Sequence, residues 1–375
     1  MKIGIISFWT SNNNYGQLLQ GYALQNYLKR QGHEVYHLKY HVRQKKRPLL
    51  IHIIIEIIKL ILNPQKEIKA IQTHILQKKK NKRRNFTSFR KEYMNFSAKE
   101  YYGLNSLKQN PPLADCYITG SDQVWAQLIS NNDNKAFYLD FGDDNIKKIA
   151  YAASFSITEY PKELLPDLKQ LLVKFYKIGV REEDGVNICK NIGINSTLVP
   201  DSTILFTKED YRKLSIPVPG LKRFVFIYSL NISEPQQIYW ESLCPLINKN
   251  LLKTIITTAD GLIPAKEIFD AQYIYATPNE WLWLIDNAEV VITASFHGII
   301  FCILMNTPFI YIPLQNVNSG MNNRVILLLK KLGLTTRICS SEKEIQSILN
   351  SPIDWEKTNE KVRQMRELGM FFLSL

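Results

Sequence analysis

Lys2-Ile3-Gly4-Ile5-Ile6-Ser7-Phe8, then Thr10-Ser11-Asn12-Asn13-Asn14-Tyr15-Gly16, then residues 17–30, Gln31-Gly32 and residues 34–38: this opening stretch decides the fold. The first run is apolar and short, as a buried strand is. The second is a polar loop. From 17 to 30, Leu18, Leu19, Tyr22, Leu24 and Leu28 recur with a helical period, and Gly32 punctuates the end. A second short apolar run follows. Strand, helix and strand in this spacing make a βαβ unit, which needs a parallel sheet. Ligands of such sheets bind beyond the carboxyl ends of the strands, where the Asn-rich loop falls. That loop has neither G-x-G-x-x-G nor a Walker lysine, which argues against a dinucleotide or P-loop site.

Outward from this unit the pattern continues. Residues 115–119, 148–154, 177–180 and 196–200 read as further strands. Residues 224–230, 254–258, 290–293 and 309–312 read as a second set, with helices over 281–287, 298–305 and 323–332. Between the sets, Leu214-Ser215-Ile216-Pro217-Val218-Pro219-Gly220 is rich in Pro and Gly and reads as a linker. The expectation is an N-terminal α/β domain over 1–214, a linker over 215–220, a C-terminal α/β domain over 221–350 and a helical segment over 351–375. A chain of 375 residues with 45% hydrophobic content has the material for two cores.

Met1-Lys2 leads into a short apolar run with no small-residue cleavage site after it, so no secretory signal is expected. The five cysteines are scattered and form no CxxC, the pattern of a reducing cytosol rather than of a disulfide framework or zinc site. No metal is expected. The net charge of +13 is concentrated. Residues 43–91 hold fifteen Lys and Arg against Glu56 and Glu67, so this window carries the whole excess.

Within the window, residues 49–62 are apolar except for His52, Glu56 and Lys59, which with Asn63 fall on one narrow helical stripe. The run is too short to cross a bilayer. Arg43, Lys45, Lys46 and Arg47 precede it, and Lys78, Lys79, Lys80, Lys82, Arg83 and Arg84 follow. An apolar wedge between cations is the pattern of a helix lying in an anionic membrane surface. A buried helix backed by a solvated basic one is the other reading of the same residues. No zinc-finger or RNP pattern accompanies the charge, so nucleic acid is not an expected partner.

Three motifs sit where chemistry is expected. Ser295-Phe296-His297-Gly298 opens a helix after a strand, and His297 is the only His after His74. An imidazole titrates near neutrality, helix-start N–H groups favour an anion, and Gly298 would let a ligand approach. A purely structural helix cap is the competing reading. Arg181, after an apolar strand, could clamp a carboxylate or phosphate with two bonds, or pair with Glu182, Glu183 or Asp184. Arg324 is a second clamp candidate or a solvated helix-start residue. In Gly120-Ser121-Asp122-Gln123-Val124-Trp125, Asp122 could act as a base or cap a following helix, and Trp125 could stack on a sugar or fill the core. Asp201 precedes a turn and is expected to support the domain junction.

At these blocks, and at Tyr151-Ala152-Ala153-Ser154-Phe155, the chain resembles the polysaccharide pyruvyl transferase family. Asn14-Tyr15-Gly16 with Leu24, Val180-Arg181-Glu182, Pro200-Asp201-Ser202-Thr203 and Asn323-Arg324 fit the same resemblance, in order, between Ile3 and Arg337. It implies two Rossmann-like α/β domains facing a cleft, similar to the GT-B glycosyltransferase fold. It also implies transfer of the enolpyruvyl group of phosphoenolpyruvate onto two hydroxyls of a sugar as a cyclic ketal. The acceptor would be a bacterial cell-surface polysaccharide or its lipid-linked oligosaccharide precursor, and phosphoenolpyruvate would be the donor substrate with no other cofactor.

On this reading His297, Arg181 and Asp122 are catalytic. Ser295, Gly298 and Arg324 bind the donor. Asn13, Asn14, Tyr15, Gly16 and Trp125 face the acceptor. The protein would work in the cytoplasm at the inner face of the cell membrane, held to its anionic surface through 43–91. No oligomeric state follows from the sequence. The chain departs from the family's usual pattern at Ala126 (often Asn), Ser156 (usually Gly) and Ala294 (often Asp). Two other readings stay open: a glycosyltransferase using a nucleotide sugar in the same cleft, and a non-catalytic membrane-associated scaffold of glycan assembly.

Overall fold

The opening residues form the βαβ unit that their pattern requires. β1 (Lys2–Ile6) and β2 (Glu34–His41) pair in parallel through the helix Tyr15–Arg30. The computed structural model describes residues 1–43, 58, 61–230, 234–259, 271–315 and 322–374. The remaining strands of the first sheet are β3 (Phe96–Tyr102), β4 (Cys116–Thr119), β5 (Lys147–Ala153), β6 (Lys177–Val180) and β7 (Thr197–Leu198). Their order is β3-β2-β1-β4-β5-β6-β7, parallel throughout. Ile3, Ile5, Ile6, Ile118 and Ile149 are fully buried, as befits strands covered on both faces. β3 was not foreseen in the sequence. Lys99 and Glu100 are exposed and break the apolar pattern of this edge strand.

The second sheet contains β8 (Phe224–Ser229), β9 (Lys253–Thr258), β10 (Gln272–Tyr273), β11 (Val290–Thr293) and β12 (Phe309–Tyr311), in the order β10-β9-β8-β11-β12 and again all parallel. Strand order reverses between β1 and β4 in the first sheet and between β8 and β11 in the second. Crossover helices leave on opposite faces at such a reversal, and a crevice opens at the strand ends. The loops after β1 and β4, and the turn after β11, therefore lie at the switch points of the two domains.

The C-terminal helix Trp355–Phe372 returns to the first domain, where Arg366 donates to the carbonyls of Ile204 (2.8 Å) and Phe206 (3.2 Å). Across the junction Tyr15 enters the second domain. Its hydroxyl donates to the Ala276 carbonyl at 2.6 Å, and its ring stacks on Trp281 with centroids 5.1 Å apart. Arg212 forms a two-bond pair with Asp286 at 2.7 and 3.0 Å, and Lys208 donates to the Met305 carbonyl.

Most of the apolar run 49–62 lies outside the described residues. The helix Pro64–Arg83 follows it, and Ile68, Ile71 and Ile75 on this helix are 48%, 51% and 61% exposed. Lys78, Lys79, Lys82 and Arg83 are exposed as well. Arg84 departs from the expectation of a flanking surface cation. It is fully buried, with its guanidinium donating to the carbonyl (2.6 Å) and hydroxyl (2.8 Å) of Thr258 in the second domain. Arg90 is also used internally, donating to the Ser11 carbonyl and, at 2.7 Å, to Asn12 Oδ1. No helix among the described residues is long and apolar enough to cross a membrane.

Candidate active site at the domain junction

β11 ends at Thr293, and the chain turns into the helix Phe296–Met305. Ser295 is its N-cap, the side-chain oxygen accepting from the Gly298 N–H at 3.2 Å. The Ser295 oxygen is thus engaged as the cap, and the cap leaves its hydroxyl hydrogen uncommitted. Gly298 is glycine for packing. A Cβ there would sit 3.0 Å from the Thr293 side chain and 3.1 Å from Tyr228, so the expected ligand approach at Gly298 is corrected to a helix-on-strand contact. The close approach occurs at Gly16 instead, where a Cβ would lie 2.1 Å from Cγ of His297. The first helix of one domain and the His297 turn of the other are packed face to face.

His297 is 9% exposed, and its Nε2 lies 3.5 Å from Oδ2 of Asp201. Asp201 is the hub of the junction. Oδ2 also accepts from Ser121 Oγ at 2.6 Å and from Arg181 Nη1 at 3.1 Å, while Oδ1 accepts from the N–H and hydroxyl of Thr203 at 3.0 and 2.7 Å. Burial alone would raise its pKa. The His297 ring 3.5 Å away, then the Arg181 charge and the Ser121 hydroxyl, reverse that and hold the carboxyl well below the usual carboxylate range. Arg181 is nearly sealed from solvent and also donates to Glu182 Oε1 at 3.1 Å. Burial lowers its pKa, but Glu182, Asp201 and Asp122 together raise it above its ordinary value. Arg181 is therefore a committed member of an ion cluster, with only Nη2 left unpartnered.

Arg324 differs. It forms no hydrogen bond or ion pair among the described residues, and its Nε is enclosed without a partner. Desolvation, then repulsion from Arg181, lowers its pKa to about 10, so it is still a cation at neutral pH. The guanidinium carbons of Arg181 and Arg324 lie 4.9 and 5.2 Å from the centre of the Phe296 ring. A cleft of about 510 Å³ opens here, lined by Arg181, Asp201, Phe296 and Arg324 together with apolar Ile204, Leu328 and Met365. His297 itself is not part of that lining.

Asp122 belongs to the same neighbourhood. No helix begins at Ser121 or Asp122, so the capping alternative falls. Asp122 Oδ2 accepts from Gln17 Nε2 at 2.9 Å, and Oδ1 from the Gln123 N–H at 2.8 Å. Its φ of 147° is a strained region for a residue with a side chain, a cost that accumulates at functional sites. Ser156, where the family usually has glycine, sits at φ 55° and accepts from Gln123 Nε2 at 2.8 Å.

The expected acceptor residues divide. Asn13 and Asn14 are half-buried in the loop, Asn14 capping the first helix through the Gln17 N–H at 3.0 Å. Tyr15 is fully buried in the inter-domain core and cannot touch a sugar. Trp125 is corrected likewise: it is fully buried, stacks on Tyr138 at 5.2 Å and donates to the Phe137 carbonyl at 3.0 Å, so it fills the core. Asp201 and Gln17 are the residues that sequence reasoning left out of the site. For Asp201 the signal was present in Pro200-Asp201-Ser202-Thr203. For Gln17 there was none, because its role depends on a bond across 105 positions.

Comparison with known proteins gives the architecture and chemistry a frame. The model of the family described as polysaccharide pyruvyl transferase matches residues 14–316. The chain belongs to the polysaccharide pyruvyl transferase family. As a member it is a transferase. No curated protein matches the chain. Among solved structures it is similar to the UDP-GlcNAc 2-epimerase of Methanocaldococcus jannaschii in complex with UDP-GlcNAc and UDP. The two are 13% identical, with 98% of this chain and 100% of that one covered and a TM-score of 0.50. It is also similar to the Acinetobacter baumannii MurG, at 10% identity, coverage of 100% and 99%, and a TM-score of 0.45. This pyruvyl transferase family member has two parallel-sheet α/β domains, and the likeness to the UDP-GlcNAc 2-epimerase is one of fold.

Proposed function

We propose that the protein transfers the enolpyruvyl group of phosphoenolpyruvate onto two hydroxyls of a sugar in a bacterial cell-surface polysaccharide or its lipid-linked precursor. The observation that carries this reading is Arg324. Its guanidinium is half-buried, lines the cleft and forms no hydrogen bond or ion pair among the described residues, so an anionic substrate in the cleft is the partner that best fits its free donors. Arg324 holds the donor's carboxylate or phosphate, and the free Nη2 of Arg181 adds a second donor group. His297 protonates the methylene carbon as the first acceptor hydroxyl adds to C2 and gives its proton to Asp122. The C2–O bond to phosphate then breaks, the second hydroxyl closes the ketal, and inorganic phosphate carries its proton away. The strained backbone at Asp122 supports a functional placement of that carboxylate. The exposed isoleucines and lysines of Pro64–Arg83 support a peripheral position on an anionic membrane surface, where a lipid-linked acceptor would be found.

The test is incubation with carbon-labelled phosphoenolpyruvate and a lipid-linked oligosaccharide, following label in the glycan and phosphate release. His297→Ala and Arg181→Ala are each expected to lower turnover by at least about 100-fold, the scale of lost acid–base or charge-stabilising groups. Turnover with a nucleotide sugar alone would replace this reading with that of a glycosyltransferase. Unchanged cellular glycan in a His297→Ala strain would leave a scaffold.

A further inference from the structure

We infer that Asp201 is a positioning residue which keeps the proton of the His297 ring on Nε2, so that Nδ1, beside the backbone of Gly16, is the nitrogen that exchanges a proton with substrate. The inference rests on the reading of His297 as the proton donor, but its geometric half stands without it. An ionised carboxylate only accepts hydrogen bonds, and Oδ2 of Asp201 faces Nε2 at 3.5 Å. The carboxylate is fixed from its other sides by Ser121, Arg181 and Thr203, so it cannot turn away from the ring. Every one of those partners is a donor, which keeps Asp201 ionised and Nε2 facing an acceptor. Nε2 is enclosed and closes no hydrogen bond in this structure, so Asp201 Oδ2 at 3.5 Å acts on it as the facing charge, and the bond forms when the two draw together. Nδ1 forms no hydrogen bond among the described residues, and a Cβ on Gly16 would sit 2.3 Å from it. With no side chain at Gly16, the Nδ1 side of the ring packs on main chain at the start of the first helix. In turnover the proton on Nδ1 passes to the donor's methylene carbon, and the ring recovers it from solvent. Nε2 keeps its proton throughout, facing Asp201, and the carboxylate offsets the positive charge that the ring carries when both nitrogens are protonated.

The experiment is ring-nitrogen NMR of the isotopically labelled full-length protein, recorded as the pH is raised until the His297 ring becomes neutral. The His297→Gln spectrum identifies the resonances. The expected result is that Nδ1 loses its proton and Nε2 keeps it. Loss from Nε2 overturns the inference. Because the wild-type spectrum decides this alone, it holds even if an Asp201 variant fails to fold. Where Asp201→Asn does fold, kcat is expected to fall by at least 30-fold while KM for phosphoenolpyruvate changes less than 3-fold. A change confined to KM would make Asp201 a donor-binding group and sink the positioning role. The expected nitrogen pattern without any turnover of phosphoenolpyruvate would leave the positioning intact and remove the proposed reaction.

Discussion

Gly16 and His297 occupy one another's space: the imidazole Cγ lies 2.1 Å from where any Cβ on residue 16 would stand. One glycine in the N-terminal domain thereby sets how closely the catalytic candidate of the C-terminal domain can seat. Gly16→Ala is expected to push the His297 turn away from Asp201. Overpacking of this kind costs about 1–3 kcal/mol. The check is thermal melting together with turnover, which should fall by more than about 10-fold. A variant with wild-type turnover would show that the contact is incidental.

Arg324 sets stability against function. Its half-buried cation forms no hydrogen bond or ion pair among the described residues, so Arg324→Met should leave the protein at least as stable as the wild type. The same variant should raise KM for phosphoenolpyruvate by at least about 100-fold, two ionic hydrogen bonds being lost. Denaturant unfolding and initial rates measure the two halves. A destabilised variant that keeps its KM would make Arg324 structural.

Asp201 gives stability a pH signature. Its folded pKa is held below the unfolded value near 3.9, so its contribution is complete above about pH 4 and is lost as the pH falls below that. Asp201→Asn should therefore cost about 3–5 kcal/mol at pH 7, as when one partner of a buried ion pair is removed. The gap between wild type and variant should narrow between pH 4 and pH 2. Urea unfolding across that range tests the sign; a gap that widens on acidification contradicts it.

The exposed face of Pro64–Arg83 makes a separate claim. Replacing Ile68, Ile71 and Ile75 together by Asp should weaken partition onto phosphatidylserine vesicles by at least about 100-fold, since each apolar side chain contributes about 1.5 kcal/mol or more on burial. Turnover of a soluble acceptor should be unchanged. Equal flotation of variant and wild type removes the membrane role of this helix.

The amino-acid sequence by itself determined the strands, the parallel βαβ wiring and the placement of three motifs beyond strand ends. These follow from local periodicity, and periodicity is a property of neighbours in the chain. Edge strand β3 escaped because Lys99 and Glu100 interrupt its apolar pattern. What only the tertiary structure decided was which side chains meet. Trp125 and Tyr15 went to the core because an aromatic ring gains more from full burial than from waiting at a surface. Arg181 was drawn into an ion cluster, while Arg324 forms no ion pair among the described residues. Asp201 became the hub because Ser121 at one switch point and His297 at the other, far apart in sequence, converge on one carboxylate. No local pattern encodes such a convergence; it arises when two sheets, each correct on its own, are docked against each other.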